Sequence, residues 1–285
     1  MINKVTTVDN WLKLAKNKLK EAQISSYSLD SELILCNILK VDRTTVLAYP
    51  KRKLTKQNIF HANHFLKRRL QHEPLAYILG FKEFYGRNFK VNSSVLVPRP
   101  ETEEIIEQLK NNLINNNETL LDVGTGSGIL AVTIAKEFQN KNIKVHASDI
   151  SKDALAVAKD NAMLHNANIS FIKSNLLENI EQNILNEVTI LVANLPYVNK
   201  NWINQKKPNE LHYEPQIALY SEKEGLELIE KLLNTTNKIP NLKYLILEAD
   251  PEQFYKIEKI AQENNLKKII QKNYTIIFKN NASIN

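Results

Sequence analysis

The stretch Leu120-Leu121-Asp122-Val123-Gly124-Thr125-Gly126-Ser127-Gly128-Ile129 decides the fold. Apolar strand-like residues run into a loop with glycine at every second position. The apolar face of a helix over 129–138 follows. Glycine lets a backbone turn sharply and approach a ligand with no Cβ in the way. A helix starting at that point adds amide donors that face the same space. The next strand, 143–149, closes in Asp149, about 20 residues on, where an acid can accept hydrogen bonds from both hydroxyls of a ribose.

The spacing discriminates between nucleotide-type cofactors. A dinucleotide loop needs Gly-x-Gly-x-x-Gly, because pyrophosphate sits on the helix N-terminus. Here the spacing is Gly-x-Gly-x-Gly, and no further phosphate-binding residue follows. S-adenosyl-L-methionine carries no phosphate, so an acid such as Asp122 is tolerable near its cationic end. The loop favours S-adenosyl-L-methionine over NAD.

Outward from this loop, strands and helices alternate. Strands are predicted at 119–123, 143–149, 169–172, 188–193, 244–248 and 274–278. Helices are predicted at 129–138, 152–165, 224–233 and 251–262. Such alternation argues for an α/β fold, a mostly parallel sheet covered by helices on both faces. The first 75 or so residues read differently. Val8, Trp11, Ala15 and Leu19 recur at helical spacing after Thr7, and Leu29, Leu33 and Cys36 after Ser28. Ile59, Ala62, Leu66 and Leu70 follow Thr55 in the same way, before Pro74. This is a small helical bundle. Residues 81–91 alternate around Gly86 and read as a β-hairpin, and Ser94-Val95-Leu96-Val97 as another strand. Pro100, followed by acids, starts a helix carrying Ile105, Ile106, Leu109 and Leu113. The expected organisation is a helical domain over 1–75, a hairpin linker over 76–100 and the α/β domain over 101–285.

Composition narrows the class. The chain has 285 residues, 43% hydrophobic and 24% charged, as in ordinary globular proteins. Cys36 is the only cysteine, so no disulfide framework is possible and a reducing, cytoplasmic setting fits. Met1-Ile2-Asn3-Lys4 lacks a signal-peptide core, and no apolar run reaches the roughly 20 residues a membrane span needs. The expectation is a protein neither exported nor inserted. The net charge of +7 and pI near 9.2 fit either a general lysine bias or an acidic or RNA-bound partner. The lysines are spread out, which favours the former; the cluster Lys67-Arg68-Arg69 stays open.

The strand at 188–193 ends in Asn194-Leu195-Pro196-Tyr197. Carboxyl ends of strands in a doubly wound sheet form the ligand crevice, so this tetrapeptide faces the glycine loop. An amide NH2 is planar and its lone pair is delocalised, which makes it a poor nucleophile. The Asn194 side-chain oxygen and the Leu195 carbonyl can bind its two hydrogens and favour electron density on its free face. Tyr197 can stack on the acceptor plane and fix its orientation. The same tetrapeptide taken alone is also an ordinary strand-to-loop turn.

These residues carry a resemblance. The chain resembles the HemK/PrmC family, which methylates N5 of a glutamine in peptide chain release factors. The likeness covers Pro74 to Gly80, Glu83-Phe84-Tyr85-Gly86, Val97-Pro98-Arg99-Pro100-Glu101-Thr102-Glu103, Asp122 to Gly128 and Asn194 to Tyr197. It ends with Glu214-Pro215, Ala218-Leu219 and Gly225-Leu226. The resemblance implies a class I (Rossmann-like) methyltransferase domain with S-adenosyl-L-methionine as cofactor. Gly124, Thr125, Gly126, Ser127 and Gly128 would hold its methionine end, Asp149 its ribose, and Asn175 and Leu176 its adenine. Asn194 would border both cofactor and substrate, and Asn194 to Tyr197 would hold the glutamine, with Asn194 and Tyr197 as the catalytic pair. The helical domain would grip the release factor; the ribosome would be involved only indirectly, and neither membrane nor metal is implied. Two departures stand out. The family has Pro at 195 and, near 175 and 176, an acid and often an aromatic. With Leu at 195 the backbone carbonyl survives, and Pro196 still biases residue 195 towards extended conformations.

The spelling Asn-Leu-Pro-Tyr also occurs in rRNA adenine dimethyltransferases. Adenine N6 methylation of rRNA and glutamine methylation of a ribosomal protein are therefore alternatives, and a non-catalytic binding module is a third. His61, His64 and His72 gather no other ligand type and read as surface histidines; Cys36 and Trp11 read as core. Arg99 reads either as a substrate contact or as packing and salt-bridging between lobes. Glu214 can line the crevice, with no chemical step assigned to it.

Overall fold

Thr7 and Thr55 do what their places before helical periods predict. Each accepts a backbone N–H of the first turn, from Asn10 and Asn58 respectively, and Asn58 returns the bond in a capping box. The computed structural model describes residues 6–111, 113–199, 202 and 210–281. It divides into two units, Met1–Gly80 with Lys206–Tyr213, and Phe81–Gln205 with Glu214–Asn285.

The smaller unit holds α1 (Val8–Glu21), α2 (Tyr27–Leu39), α3 (Arg43–Ala48), α4 (Lys56–Leu70) and α5 (Leu75–Leu79). Trp11, Ala15, Leu19, Ile34, Leu35, Ala62 and Leu66 form its core. Trp11 also donates its indole N–H to Asn63 at 2.9 Å, and Cys36 packs partly buried beside that core. The expected face of α2 is corrected. The helix begins at Tyr27, and Leu29 is exposed, whereas Asp30, Glu32, Ile34 and Leu35 are buried. Charges go inside because they are paired. Lys16 and Arg43 bond Glu32 at 2.6 Å each, and Arg69, itself buried, bonds Asp30 at 2.6 Å. Arg69 also donates to the Glu73 carbonyl at 3.1 Å and to Glu210. Tyr213 donates its hydroxyl to the Gln71 carbonyl at 2.7 Å, so a second stretch of chain completes this unit.

The larger unit opens with the hairpin β1 (Phe81–Phe84) and β2 (Arg87–Lys90). The hairpin is not a linker. Phe84 and Phe89 are buried with Ile105, Ile106, Leu109 and Leu130 in one core cluster. Residues 94–97 form no strand: Asn92 accepts the Ser94 N–H in a turn, and Pro98 follows with no donor to offer. A 3-10 turn at Pro100–Thr102 leads into α6 (Glu103–Lys110). Then follow β3 (Thr119–Val123), α7 (Ile129–Glu137), β4 (Lys144–Asp149), α8 (Lys152–Leu164), β5 (Ser170–Lys173), α9 (Gln182–Glu187) and β6 (Ile190–Ala193). The chain continues through α10 (Gln216–Leu219), α11 (Glu222–Gly225), α12 (Glu227–Leu233), β7 (Tyr244–Glu248), α13 (Phe254–Glu263), β8 (Leu266–Lys272) and β9 (Thr275–Asn280).

The sheet order is β5-β4-β3-β6-β7-β9-β8. The first five of these strands run parallel, and β9 is antiparallel to both β7 and β8. Burial is continuous along β3 and β6, as expected for strands covered on both faces. Strand β8 is an element the pattern does not predict, and the helix expected over 224–233 starts only at Glu227, after left-handed Lys223 and Glu224. From β3 the chain winds outward through β4 to β5, then returns to place β6 on the other side of β3. The order reverses between β3 and β6, and a crevice opens at the carboxyl ends of strands flanking such a reversal.

Candidate active site

The glycine loop leaves β3 at this reversal. Gly124 N and Thr125 N both donate to the Ser148 carbonyl at 2.9 Å, folding the loop over the end of β4. Gly126 N donates to Asp149 Oδ2 and Ser151 N to Asp149 Oδ1, each at 2.9 Å. Burial raises the pKa of Asp149 above the usual carboxylate value, and those backbone donors only partly oppose it. Asp122 is buried beneath the loop. Thr125 Oγ1 donates to its Oδ2 at 2.6 Å and Ala131 N at 3.2 Å, while Oδ1 has no partner among the described residues. Burial pushes this carboxyl up to about 7, and the two donors only partly offset it.

Gly124 has φ +75, and a Cβ there would lie 2.9 Å from Leu195 Cδ2. The two motifs therefore touch. Leu195, 4% exposed, caps the glycine loop and belongs to the core cluster under β6 and β7. Asn161, on α8, holds the loop from behind. Its amide donates to the Ser127 carbonyl at 2.8 Å and the Lys90 carbonyl at 3.0 Å, and its oxygen accepts Lys90 N at 2.7 Å. No pattern in the sequence singles Asn161 out.

The crevice is lined by the residues 122–127, Asp149, Asn175, Leu176, Asn194, Leu195 and Pro196, together with Pro98, Arg99, Thr102, Ile150 and Ile217. All expected cofactor residues except Gly128 are among the lining. Gly128 instead starts α7, packed 3.1 Å from Ala158 if given a Cβ. Leu176 holds φ +50, an uncommon conformation for a bulky side chain.

Tyr197 departs from expectation. It does not line the crevice; its ring packs partly buried on the core, and its hydroxyl donates to Glu248 Oε1 at 3.2 Å. Burial and the carboxylate beside it push the Tyr197 hydroxyl well above the ordinary phenol range. Glu248 ends β7, is 1% exposed, and its Oε2 lacks a partner. Burial raises this carboxyl to about 7, opposed by the Thr102, Tyr197 and Asn194 side chains. Asn194 Nδ2 donates to Thr102 Oγ1 at 3.1 Å, and no described group donates to Asn194 Oδ1. Thr102 lies in the segment 97–103 that carried the resemblance, but its contact with Asn194 is visible only in three dimensions. Two further supports appear. Glu214 is buried, accepts Val97 N at 3.0 Å and pairs with Arg99 at 2.6 Å, so the Arg99 ion pair is internal to this unit. Gln253 Nε2 donates to the Tyr197 and Glu224 carbonyls, both at 2.9 Å.

Comparison with known proteins gives this geometry a family. Residues 10–80 match the model of the PrmC N-terminal domain, and residues 100–219 that of the methyltransferase small domain. A release factor glutamine methyltransferase of Lactococcus lactis is 33% identical over 84% of this chain and 87% of its own length. One of Koribacter versatilis is 38% identical over 76% and 77%. The chain belongs to the release factor glutamine methyltransferase family. Among solved structures, a methyltransferase from Pyrococcus furiosus aligns with TM-score 0.50 and 22% identity over 70% of this chain and 91% of that one. The hMettl16 catalytic domain aligns with 0.53 and 12% over 80% and 83%. These two likenesses establish the shared fold.

As in this family of S-adenosylmethionine enzymes, the crevice fits that cofactor. Arg99 is the only cation among its described lining residues, and it is already paired with Glu214. Among these residues a phosphate would find no free positive charge, whereas a cofactor without phosphate needs none. A Cβ on Gly126 would meet nothing within 4 Å, so the loop presents open backbone to the crevice. Among the described residues no helix is long and apolar enough to cross a membrane, and no cluster of three or more His, Cys, Asp or Glu could hold a metal.

Proposed function

We propose that the chain transfers a methyl group from S-adenosyl-L-methionine to the side-chain amide nitrogen, N5, of a glutamine in a peptide chain release factor. The observation that carries this reading is the state of Asn194. Asn194 lines the crevice, its Nδ2 is engaged by Thr102, and no described group donates to its Oδ1.

When bound, the cofactor supplies a methyl group on a positively charged sulfur, electrophilic enough that no acid or metal is required. The protein's part is binding and orientation. Gly124 to Ser127 hold the methionine end, with Asp149 at the ribose and Asn175 and Leu176 beside the adenine. Asn194 Oδ1 and the Leu195 carbonyl accept the two hydrogens of the substrate amide, which turns its free face to the donor and concentrates electron density there. Pro196 keeps residue 195 extended. Tyr197 acts through its anchored hydroxyl, holding the tetrapeptide in register with Glu248. The helical residues before 75 are read as the part that recognises the release factor. Leu195 preserves the carbonyl on which the substrate depends. The setting is the cytoplasm, with the ribosome involved only through the release factor.

The test is transfer of label from methyl-labelled S-adenosylmethionine to full-length release factor, a ribosomal protein fraction and rRNA in parallel. Label on one glutamine of the release factor supports the reading. An unlabelled release factor beside labelled rRNA or ribosomal protein overturns it in favour of adenine or ribosomal-protein methylation.

A further inference from the structure

An asparagine amide fills nearly the same space either way round, so its hydrogen-bond partners decide which end faces where. In the reading above Asn194 must present oxygen to a substrate amide that offers only hydrogens. Its visible partner, the Thr102 hydroxyl, does not settle this alone, because a hydroxyl both donates and accepts. A group that can only accept must stand behind Thr102.

Glu248 is that group. It closes β7, next to β6, whose end carries Asn194. Tyr197 donates to its Oε1, and the Thr102 hydroxyl and the Asn194 amide both face its carboxyl as donors. With its proton given to Glu248, Thr102 has only lone pairs left for Asn194, so it takes Nδ2, at 3.1 Å. Oδ1 is then left for the crevice. We propose that Glu248 is a positioning residue for the reaction: its carboxylate, facing the Asn194 amide both directly and through Thr102, sets which end of that amide faces the substrate. The inference rests on the reading of Asn194 as the acceptor of the substrate amide's hydrogens. It also gives a task to a carboxyl that is buried with no cation beside it, which core packing alone does not favour.

The same arrangement makes the device sensitive to pH. The groups around Glu248 are Tyr197 and Asn194 from the tetrapeptide, Thr102 and Glu101 from the turn before α6, and Thr275 opposite it in β9. None of these is a cation, and Glu101 adds like charge. Burial lifts the carboxyl to about 7. On the acid side Glu248 carries a proton and can itself donate to Thr102. The relay can then run backwards, with the Thr102 proton on Asn194 Oδ1 and Nδ2 turned to the crevice.

Glu248→Gln and Thr102→Val test this in the full-length enzyme with a release factor as substrate. We expect kcat to fall about 10- to 100-fold in each, the loss of one orienting hydrogen bond in the transition state, with S-adenosylmethionine affinity within about twofold of wild type. The acid limb of the wild-type kcat profile, near pH 7, should be absent in Glu248→Gln. A second readout needs no substrate. The Asn194 side-chain amide resonances, assigned by their loss in Asn194→Asp, should shift with a midpoint near 7 in wild type and stay flat in Glu248→Gln. Wild-type resonances that do not move, or a Glu248→Gln enzyme with wild-type kcat and an unchanged profile, overturn the proposal. If release factor takes no label from wild type, the proposed reaction fails, and the amide titration still decides the role of Glu248. If Glu248→Gln does not fold, the wild-type titration and Thr102→Val decide it.

Discussion

Replacing Gly225 by alanine puts a methyl group where the chain already is. A Cβ on Gly225 would stand 2.0 Å from the Tyr197 carbonyl oxygen and 2.6 Å from Gln253 Nε2. Both distances lie far inside van der Waals contact, so the added carbon and its neighbours cannot all stay where they are. The Tyr197 carbonyl is backbone of the acceptor tetrapeptide and cannot swing aside alone. Gln253 can move, but it then gives up its bonds to the Tyr197 and Glu224 carbonyls, at about 1 kcal/mol each. Gly225 also holds φ +88, which costs an L residue roughly 1–2 kcal/mol. The sum is about 3–4 kcal/mol. For a unit of this size that lowers Tm by roughly 6–16 °C, at about 2–4 °C per kcal/mol. Gly86→Ala in the same unit is the control. Gly86 has φ +72 and nothing within 4 Å of its Cβ position, so it bears the conformational cost alone. Thermal unfolding followed by circular dichroism, without cofactor, measures both. Methyl transfer should also fall more in Gly225→Ala, because the carbonyl that must yield belongs to Tyr197. Equal destabilisation by the two substitutions would refute the steric argument.

Three further outcomes are expected. Asn194→Ala should keep cofactor binding by calorimetry and lose about 100- to 1,000-fold in kcat, as oriented hydrogen-bonding groups at a reacting centre typically do; wild-type turnover would remove Asn194 from the mechanism. Asn161→Ala deletes three hydrogen bonds to Lys90 and Ser127 and should cost roughly 2–4 kcal/mol in urea unfolding, with weaker cofactor binding because Ser127 lies in the loop. Asp122→Asn tests the buried acid. A carboxyl raised in the folded state stabilises fully below its unfolded value of 3.8, and that contribution is lost as pH rises through about 7. Relative to wild type, Asp122→Asn should therefore gain stability between pH 5 and pH 8; a constant difference across that range would show that Asp122 stays charged.

Legibility in the sequence followed the range of the interactions. The glycine loop and Asn194 to Tyr197 are local, because backbone conformation and chemistry sit in consecutive residues, and the structure brings both to the reversal between β3 and β6. Elements set by partners far along the chain were harder to read. Asp30 and Glu32 look like a solvent face of α2, and only Arg69, Lys16 and Arg43 make their burial possible. Strand β8 hides in Leu266-Lys267-Lys268-Ile269-Ile270, because lysines on an edge strand interrupt the apolar pattern. Lys223 and Glu224 take left-handed conformations that neither residue type signals. In the site, Thr102, Asn161, Glu248 and Gln253 each meet their partner from another element, so no spacing rule points to them. The sequence around Glu214 signals no task for it; in three dimensions it clamps Val97 and Arg99.

The small helical unit is built from two pieces of chain, Met1–Gly80 and Lys206–Tyr213, with Arg69 holding Glu210 and Gln71 holding Tyr213. That discontinuity constrains inheritance. A single crossover near residue 80 would give a hybrid whose helices come from one ancestor and whose second piece comes from another, leaving a buried guanidinium facing a stranger. Exchange of this unit between relatives requires two breakpoints or compensating change at 69 and 210. The helical unit and the catalytic unit are thus expected to descend together, and chimeras made for the laboratory will need both pieces from the same parent.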